Sequence, residues 1–187
     1  MGKMKKKMFV LGVCAVLLML LTQKTVAYYS TIGKATNVIT TGDISFEIHE
    51  TTDTGALFPT DGVIVLPGDV VSKQVSIESV CDQPFYLRVK IEYGIDSEVL
   101  GATDCFALNV DTVNWTEYDG WYYYNSIVEP GDETPYLFTE VEIVGSKVDN
   151  RYIGKTLTLD VSAQAVQSVH NPLTDGHVYT ASGWPME

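Results

Sequence analysis

Histidine and basic side chains are scarce in this chain. There are three histidines, His49, His170 and His177, and twelve Lys and Arg against 24 Asp and Glu. Five of the twelve basic residues lie within the first 27 positions and none of the acids does, so the remainder carries seven basic residues against 24 acidic ones, a formal charge of −17. A surface this acidic repels phosphate backbones and anionic headgroups, which excludes nucleic acid as a partner. No two of the three histidines have the zinc-protease spacing of one helical turn with a glutamate between. The nearest match, His49-Glu50-Thr51-Thr52-Asp53, ends in aspartate. It also continues a strand, where positions four apart are separated by roughly 12 Å. There is no GxSxG elbow and no phosphate loop.

Helical periodicity is also lacking beyond the N-terminus. Lys3, Lys5, Lys6 and Lys7 precede an apolar run at residues 8–21, and small residues follow near Ala27. That order is the pattern of a secretory signal. The run is shorter than the roughly 20 residues that cross a bilayer as a helix. The expected cleavage follows Ala27, with an uncleaved N-terminal anchor as the alternative. Contact with the membrane is then confined to export. Cys14 lies inside the apolar run behind Val13, not behind the small residue that lipidation needs. Cys81 and Cys105 are the other two cysteines. In an oxidising exterior they form a candidate disulfide. Closing a loop of about 25 residues in this way would stabilise the fold by roughly 3 kcal/mol; two unpaired thiols are the alternative.

What the chain does have is alternation of period two. Ile44, Phe46 and Ile48 share one face, as do Phe85, Leu87, Val89, Ile91 and Tyr93, and again Leu157, Leu159, Val161, Ala163 and Ala165. Side chains on a strand change face at each residue, so these runs predict sheets with one wet face, and Tyr86, Arg88, Lys90 and Glu92 are expected on it. Residues 62–66, 70–79, 106–110, 121–124 and 137–144 are further strand candidates, rich in β-branched or aromatic side chains. Pro67-Gly68-Asp69 and Pro130-Gly131-Asp132 read as turns, and Asp119-Gly120 as a hairpin. Short helical turns fit only residues 97–104. The expected core is Ile44, Phe46, Phe85, Leu87, Val89, Ile91, Leu157, Leu159 and Val161. The pattern predicts an all-β fold, a β-sandwich of jelly-roll type, preceded by an N-terminal signal helix. After Val169 the alternation is lost, which predicts a surface-draped or flexible tail.

Trp115, Tyr118 and Trp121 to Tyr124 surround the Asp119-Gly120 turn. Four consecutive aromatics on a strand place two on each face. One pair can fill the core; the other is either covered by a loop or left to stack on sugar rings or a neighbouring subunit. Carboxylate pairs such as Glu140/Glu142 and Asp132/Glu133 have the chemistry of glycoside hydrolysis, but with 24 acids accidental pairs are expected. Asp149 with Asn150 is a weak calcium candidate.

The order of these segments resembles a known family. A lysine-rich signal ending in TVAYYSTIGKATN is followed by GDISFEI, an LPGD turn leading into VSKQVSIES, a strand ending in IEYG, and DNRYIGKTLTLDVSAQAVQ. This is similar to the bacterial exported proteins processed by the SipW-type signal peptidase, the family that includes the biofilm fibre protein TasA and camelysin. The aromatic cluster and the Gly183-Trp184-Pro185 tail look closer to shorter clostridial-type members. The resemblance implies a jelly roll outside the cell and an N-terminal segment that, freed by cleavage, inserts as a strand into the next subunit. Here that candidate donor strand carries Tyr28, Tyr29, Ile32, Val38 and Ile39, interrupted by Gly33 and Lys34. An ordinary first strand or a leader is the alternative.

The resulting division is a signal peptide at 1–27, an N-terminal segment at 28–41, a jelly-roll domain at 42–169 and a tail at 170–187. The expected function is a secreted structural component of a bacterial matrix or surface assembly, not an enzyme, with no catalytic residue, metal or organic cofactor assigned. Expected partners are copies of the chain itself, the signal peptidase and a dedicated anchor protein. The alternatives are a camelysin-like secreted metallopeptidase and a carbohydrate-binding or adhesive surface protein.

Overall fold

The strongest alternation in the sequence builds the longest ladder. In the computed structural model, residues 44–60, 62–96 and 101–185 are described; the signal with Ala27 and the donor segment with Tyr28, Tyr29, Ile32, Val38 and Ile39 lie outside them. β4 (Phe85–Ile95) pairs antiparallel with β9 (Leu157–Gln167) over eleven residues, from Phe85 opposite Gln167 to Ile95 opposite Leu157. The other edge of β4 pairs with β7 (Trp121–Tyr124), which pairs in turn with β6 (Trp115–Tyr118), giving the order β6-β7-β4-β9. Asp119 and Gly120 join β6 to β7 with φ of 52° and 75°. These are the left-handed values that a tight hairpin matched to strand twist demands, and that Asp-Gly tolerates.

Two smaller antiparallel sheets accompany this one. β1 (Phe46–Thr51) pairs with β3 (Gln74–Ser79), and β8 (Glu140–Ile143) lies between β2 (Val70–Ser72) and β5 (Phe106–Leu108). The run at 70–79 is therefore two strands in two sheets. The break falls at Lys73, whose ammonium is buried 2.9 Å from Glu50 and over the ring of Phe58. A long side chain with a paired head marks the crossing between sheets. Both proline-glycine-aspartate elements are turns: Gly68 and Gly131 have φ of 93° and 77°, and the Asp69 and Asp132 amides donate to Leu66 and Glu129 carbonyls at 3.0 Å.

The main core is filled by Ile44 and Phe46 at β1, Val75 and Ile77 of β3, Phe85, Leu87 and Val89 of β4, and Val161, Ala163 and Ala165 of β9, with Trp115, Val128, Leu137, Phe138 and Val141. Alanines on β9 leave room for the large side chains opposite, so total volume is matched across facing positions. Of the expected core, Ile91 and Leu159 only flank this cluster, and Leu157 packs into a separate one around Cys105, Ile143 and Val148. The β4–β9 ladder runs past the end of the core, so its far residues are half-exposed.

Three further expectations change. Residues 62–66 form no strand: the segment is irregular and outside the sheets, and Ile64 is fully exposed. Only the second half of 137–144 is a strand; Leu137 and Phe138 precede it, their amide and carbonyl bonding to Val75. Helical turns occur at Thr103–Cys105, Asn150–Tyr152 and Val178–Thr180, all 3-10 in type, the first overlapping the end of the region expected.

Leu87→Ala is expected to destabilise the fold by about 2–5 kcal/mol. Leu159→Ala, which empties less enclosed space, is expected to cost clearly less. Urea unfolding of both variants checks the order; equal losses would contradict the core assigned here.

Candidate functional site

The alternation of β4 puts Tyr86 and Arg88 on the face away from the main core, where the sequence predicts water. Both are buried. The register places Arg88 opposite Tyr123 on one side and Gln164 on the other. Trp121 and Tyr123 share this outer face, whereas Tyr122 and Tyr124 pack against the main core. The four consecutive aromatics thus divide two and two, and both pairs are covered.

The cover is the C-terminal tail. Val178, Ala181, Leu173, Tyr179 and Trp184 close over Tyr86, Trp121, Tyr123 and Val166. No alternation holds the tail in place; side-chain bonds do. Asn171 donates through Nδ2 to the carbonyls of Gln167 and Ser182 and accepts through Oδ1 from the Ser182 amide and hydroxyl. Thr180 Oγ1 donates to carbonyl oxygen at His177 and accepts from the Thr174 amide. Left-handed backbone at His170, Asp175, Gly176 and Gly183 bends the chain between these staples. Asp tolerates that conformation better than most residues, and Gly adopts it without strain.

Arg88 is the centre of this layer. Its guanidinium lies 3.9 Å from the ring of Trp121 and 4.8 Å from that of Trp184. Its N–H groups donate to Gln164 Oε1 at 2.6 and 3.0 Å, to the Tyr123 hydroxyl at 3.2 Å and to the Pro185 carbonyl at 2.9 Å. These partners are neutral oxygens and aromatic faces. A flat, weakly hydrated cation suits that setting better than an ammonium would. The buried Trp184 indole N–H has no hydrogen-bond partner among the described residues, so ring packing and not its polar atom locates Trp184.

Beside this layer the tail and the hairpin enclose a cleft of about 240 Å³, walled by Tyr123 and Tyr179 and edged by Thr116, Asn125 and His177. Tyr179 stacks on Tyr118 at 4.3 Å and on His177 at 4.9 Å, with interplanar angles of 12° and 14°. Tyr123 meets Tyr179 and Trp184 edge-on at 6.1 and 5.5 Å. These are the stacked and T-shaped arrangements that aromatic quadrupoles favour.

The residues singled out from sequence are scattered by comparison. Cys81 and Cys105 are free, and the candidate disulfide is not made. Cys81 follows β3 with its thiol on the Gln83 carbonyl, beside the main core, and Cys105 is buried in the Ile143 cluster. Different packing groups hold them. His49 bonds to Glu78 at 2.9 Å, Glu50 to Lys73, and the Asp53 amide to Ser72, so the His49–Asp53 stretch is spent on separate local contacts. Among the described residues no three His, Cys, Asp or Glu side chains group as metal ligands. Glu133 accepts from Ser76, while Glu140 and Glu142 are exposed on β8. The Asp149 carboxylate caps the turn at Asn150–Tyr152 and takes the Arg151 guanidinium in a fork, which holds its pKa below the usual value.

Two outcomes are expected. Arg88→Lys loses the fork that serves three partners and is expected to cost roughly 1.5–3 kcal/mol, the range for hydrogen bonds to charged groups. Chemical denaturation followed by tryptophan fluorescence reads this, because Trp121 and Trp184 flank the guanidinium. The second concerns pH. Burial, and then the negative charge of Glu117, raises the Tyr122 phenol above its ordinary 10.0. Burial, with Tyr122 and Glu117, does the same to Tyr93. In the unfolded chain these phenols ionise earlier, so the stability they carry is whole below pH 10.0 and is lost as pH rises past it. Tyr122→Phe is expected to shallow that decline in an alkaline unfolding series; an unchanged slope would contradict it.

No protein-family model matches the chain, and no curated protein matches it either.

Proposed function

We propose that this chain is a secreted structural component of a bacterial matrix or surface assembly, folded as a jelly-roll sandwich and joined to its neighbours by strand addition. The single observation that carries the reading is the edge of β9. Its eleven residues pair with β4 along their whole length, and no described residue pairs with the opposite edge. An edge of that length offers a row of backbone donors and acceptors to another strand. Soluble proteins usually guard such edges with charge or proline. In LTLDVSAQAVQ the only guard is Asp160.

The donor in this reading is the 28–39 segment of another copy, released when the signal is removed after Ala27. Its tyrosines, threonines and β-branched residues favour a strand. The acidic surface keeps the copies apart until the edge is engaged. The resemblance to SipW-dependent exported proteins supports the same direction, and a metallopeptidase reading has no comparable feature behind it.

Electron microscopy of the chain cleaved after Ala27 is expected to show filaments, and deletion of 28–39 to leave a folded monomer. A synthetic peptide of residues 28–39 is expected to cap growth when added to the cleaved chain. Filaments formed by the deleted chain would overturn the proposal, as would a cleaved chain that stays monomeric.

A further inference from the structure

We propose that the cleft between the β6–β7 hairpin and the C-terminal tail binds one ring of an uncharged saccharide. The cleft is built from two braced elements. The tail side is stapled by Asn171 and Thr180, and the hairpin side by the Asp119-Gly120 turn and by Thr116 to Asn125. Its volume of about 240 Å³ is several times the roughly 30 Å³ share of one water molecule, and is of the scale of a single sugar ring.

The chemistry of the walls selects the ligand class. Although acids outnumber bases so heavily in this chain, no Asp, Glu, Lys or Arg among the described residues lines the cleft. Glu117 belongs to the other face of the sheet, where it acts on Tyr122. A charged ligand would therefore leave water without a counter-ion, at a cost. Tyr123 is buried and the Tyr179 ring already stacks on Tyr118 and His177, so the two offer the cleft aromatic edges, whose partial positive charge suits hydroxyl oxygens.

The polar groups are already poised. The Tyr123 hydroxyl accepts from Arg88, which leaves its own proton to donate. Thr116 and Asn125 share a 2.7 Å bond between Oγ1 and Oδ1; the amide oxygen can only accept, so the threonine donates and keeps its lone pairs for a ligand. Asn125 Nδ2 spends one N–H on the Val113 carbonyl and has a second to give. Fixed donors and fixed acceptors side by side match hydroxyl groups, which do both. This inference is independent of strand addition, because it uses neither β9's free edge nor the 28–39 segment.

The test is isothermal titration of the full chain with methyl β-glucoside, methyl β-galactoside and N-acetylglucosamine, with glucuronate as the charged comparison. At least one neutral probe is expected to bind saturably and glucuronate more weakly. Thr116→Val is expected to weaken that binding several-fold, and Tyr179→Ala about tenfold. Tyr179 also closes the outer layer, so Tyr118→Ala, at a half-exposed position, serves as a second variant; it removes the ring that orients Tyr179 and leaves the core untouched. Three results would overturn the proposal. These are no saturable binding by any neutral probe, binding unchanged in both Thr116→Val and Tyr118→Ala, or tighter binding of glucuronate.

Discussion

A sheet whose longest pair runs eleven residues has two faces to cover, and β4 and β9 cover them by different physics. The inner face is apolar and meets β1 and β3 in the main core, where area and volume decide the energetics. The outer face carries Arg88 at its middle. Taking a guanidinium from water is costly unless its N–H groups find oxygens and its flat faces find rings. Gln164, Tyr123 and the Pro185 carbonyl take four hydrogen bonds from Arg88, and Trp121 and Trp184 supply the rings. The tail is therefore no loose end; it completes the coordination of a charge that the central strand brings in.

This arrangement links packing to the two surfaces on which the proposals rest. Because the tail is held against β7, the aromatic rings of Tyr118, Tyr123 and Tyr179 are fixed, and a cleft with preset donors and acceptors lies beside them. Because β4 spends one edge on β7 and the other on β9, β9 closes one side of the sheet as β6 closes the other, and no described residue pairs along its outer edge. One face of the molecule offers side-chain chemistry and one edge offers backbone chemistry. Both follow from the same four-stranded order.

The free cysteines fit this picture of a fold held by packing and hydrogen bonds. Cys105 sits in the small cluster with Ile143 and Val148, and its thiol faces the Gly101 carbonyl, which also accepts from the Tyr152 hydroxyl. Cys81 rests at the turn between β3 and β4. An even pair and an expected export suggest a bond between them, but both thiols are free in the fold.

Local chemistry alone determined the class of the fold, its main strands and its turns. Alternation of period two marks β1, β4 and β9, and Asp119-Gly120 and the two proline-glycine-aspartate elements have backbone preferences that need no distant partner. The two-and-two division of Trp121 to Tyr124 was equally legible, since it follows from strand geometry. Only tertiary structure decided what covers each face. Arg88 alternates with apolar neighbours as any solvent-facing residue would, and nothing near it in sequence announces that Trp184, 96 positions later, will lie over it. The same holds for the sheet switch at Lys73, the half-exposed far end of the ladder at Ile91 and Leu159, and the irregular 62–66 segment. Periodicity reports which residues share a side of a strand. Whether that side meets water, a core or a returning tail depends on contacts between residues far apart in the chain, and a pattern read along the chain carries no record of them.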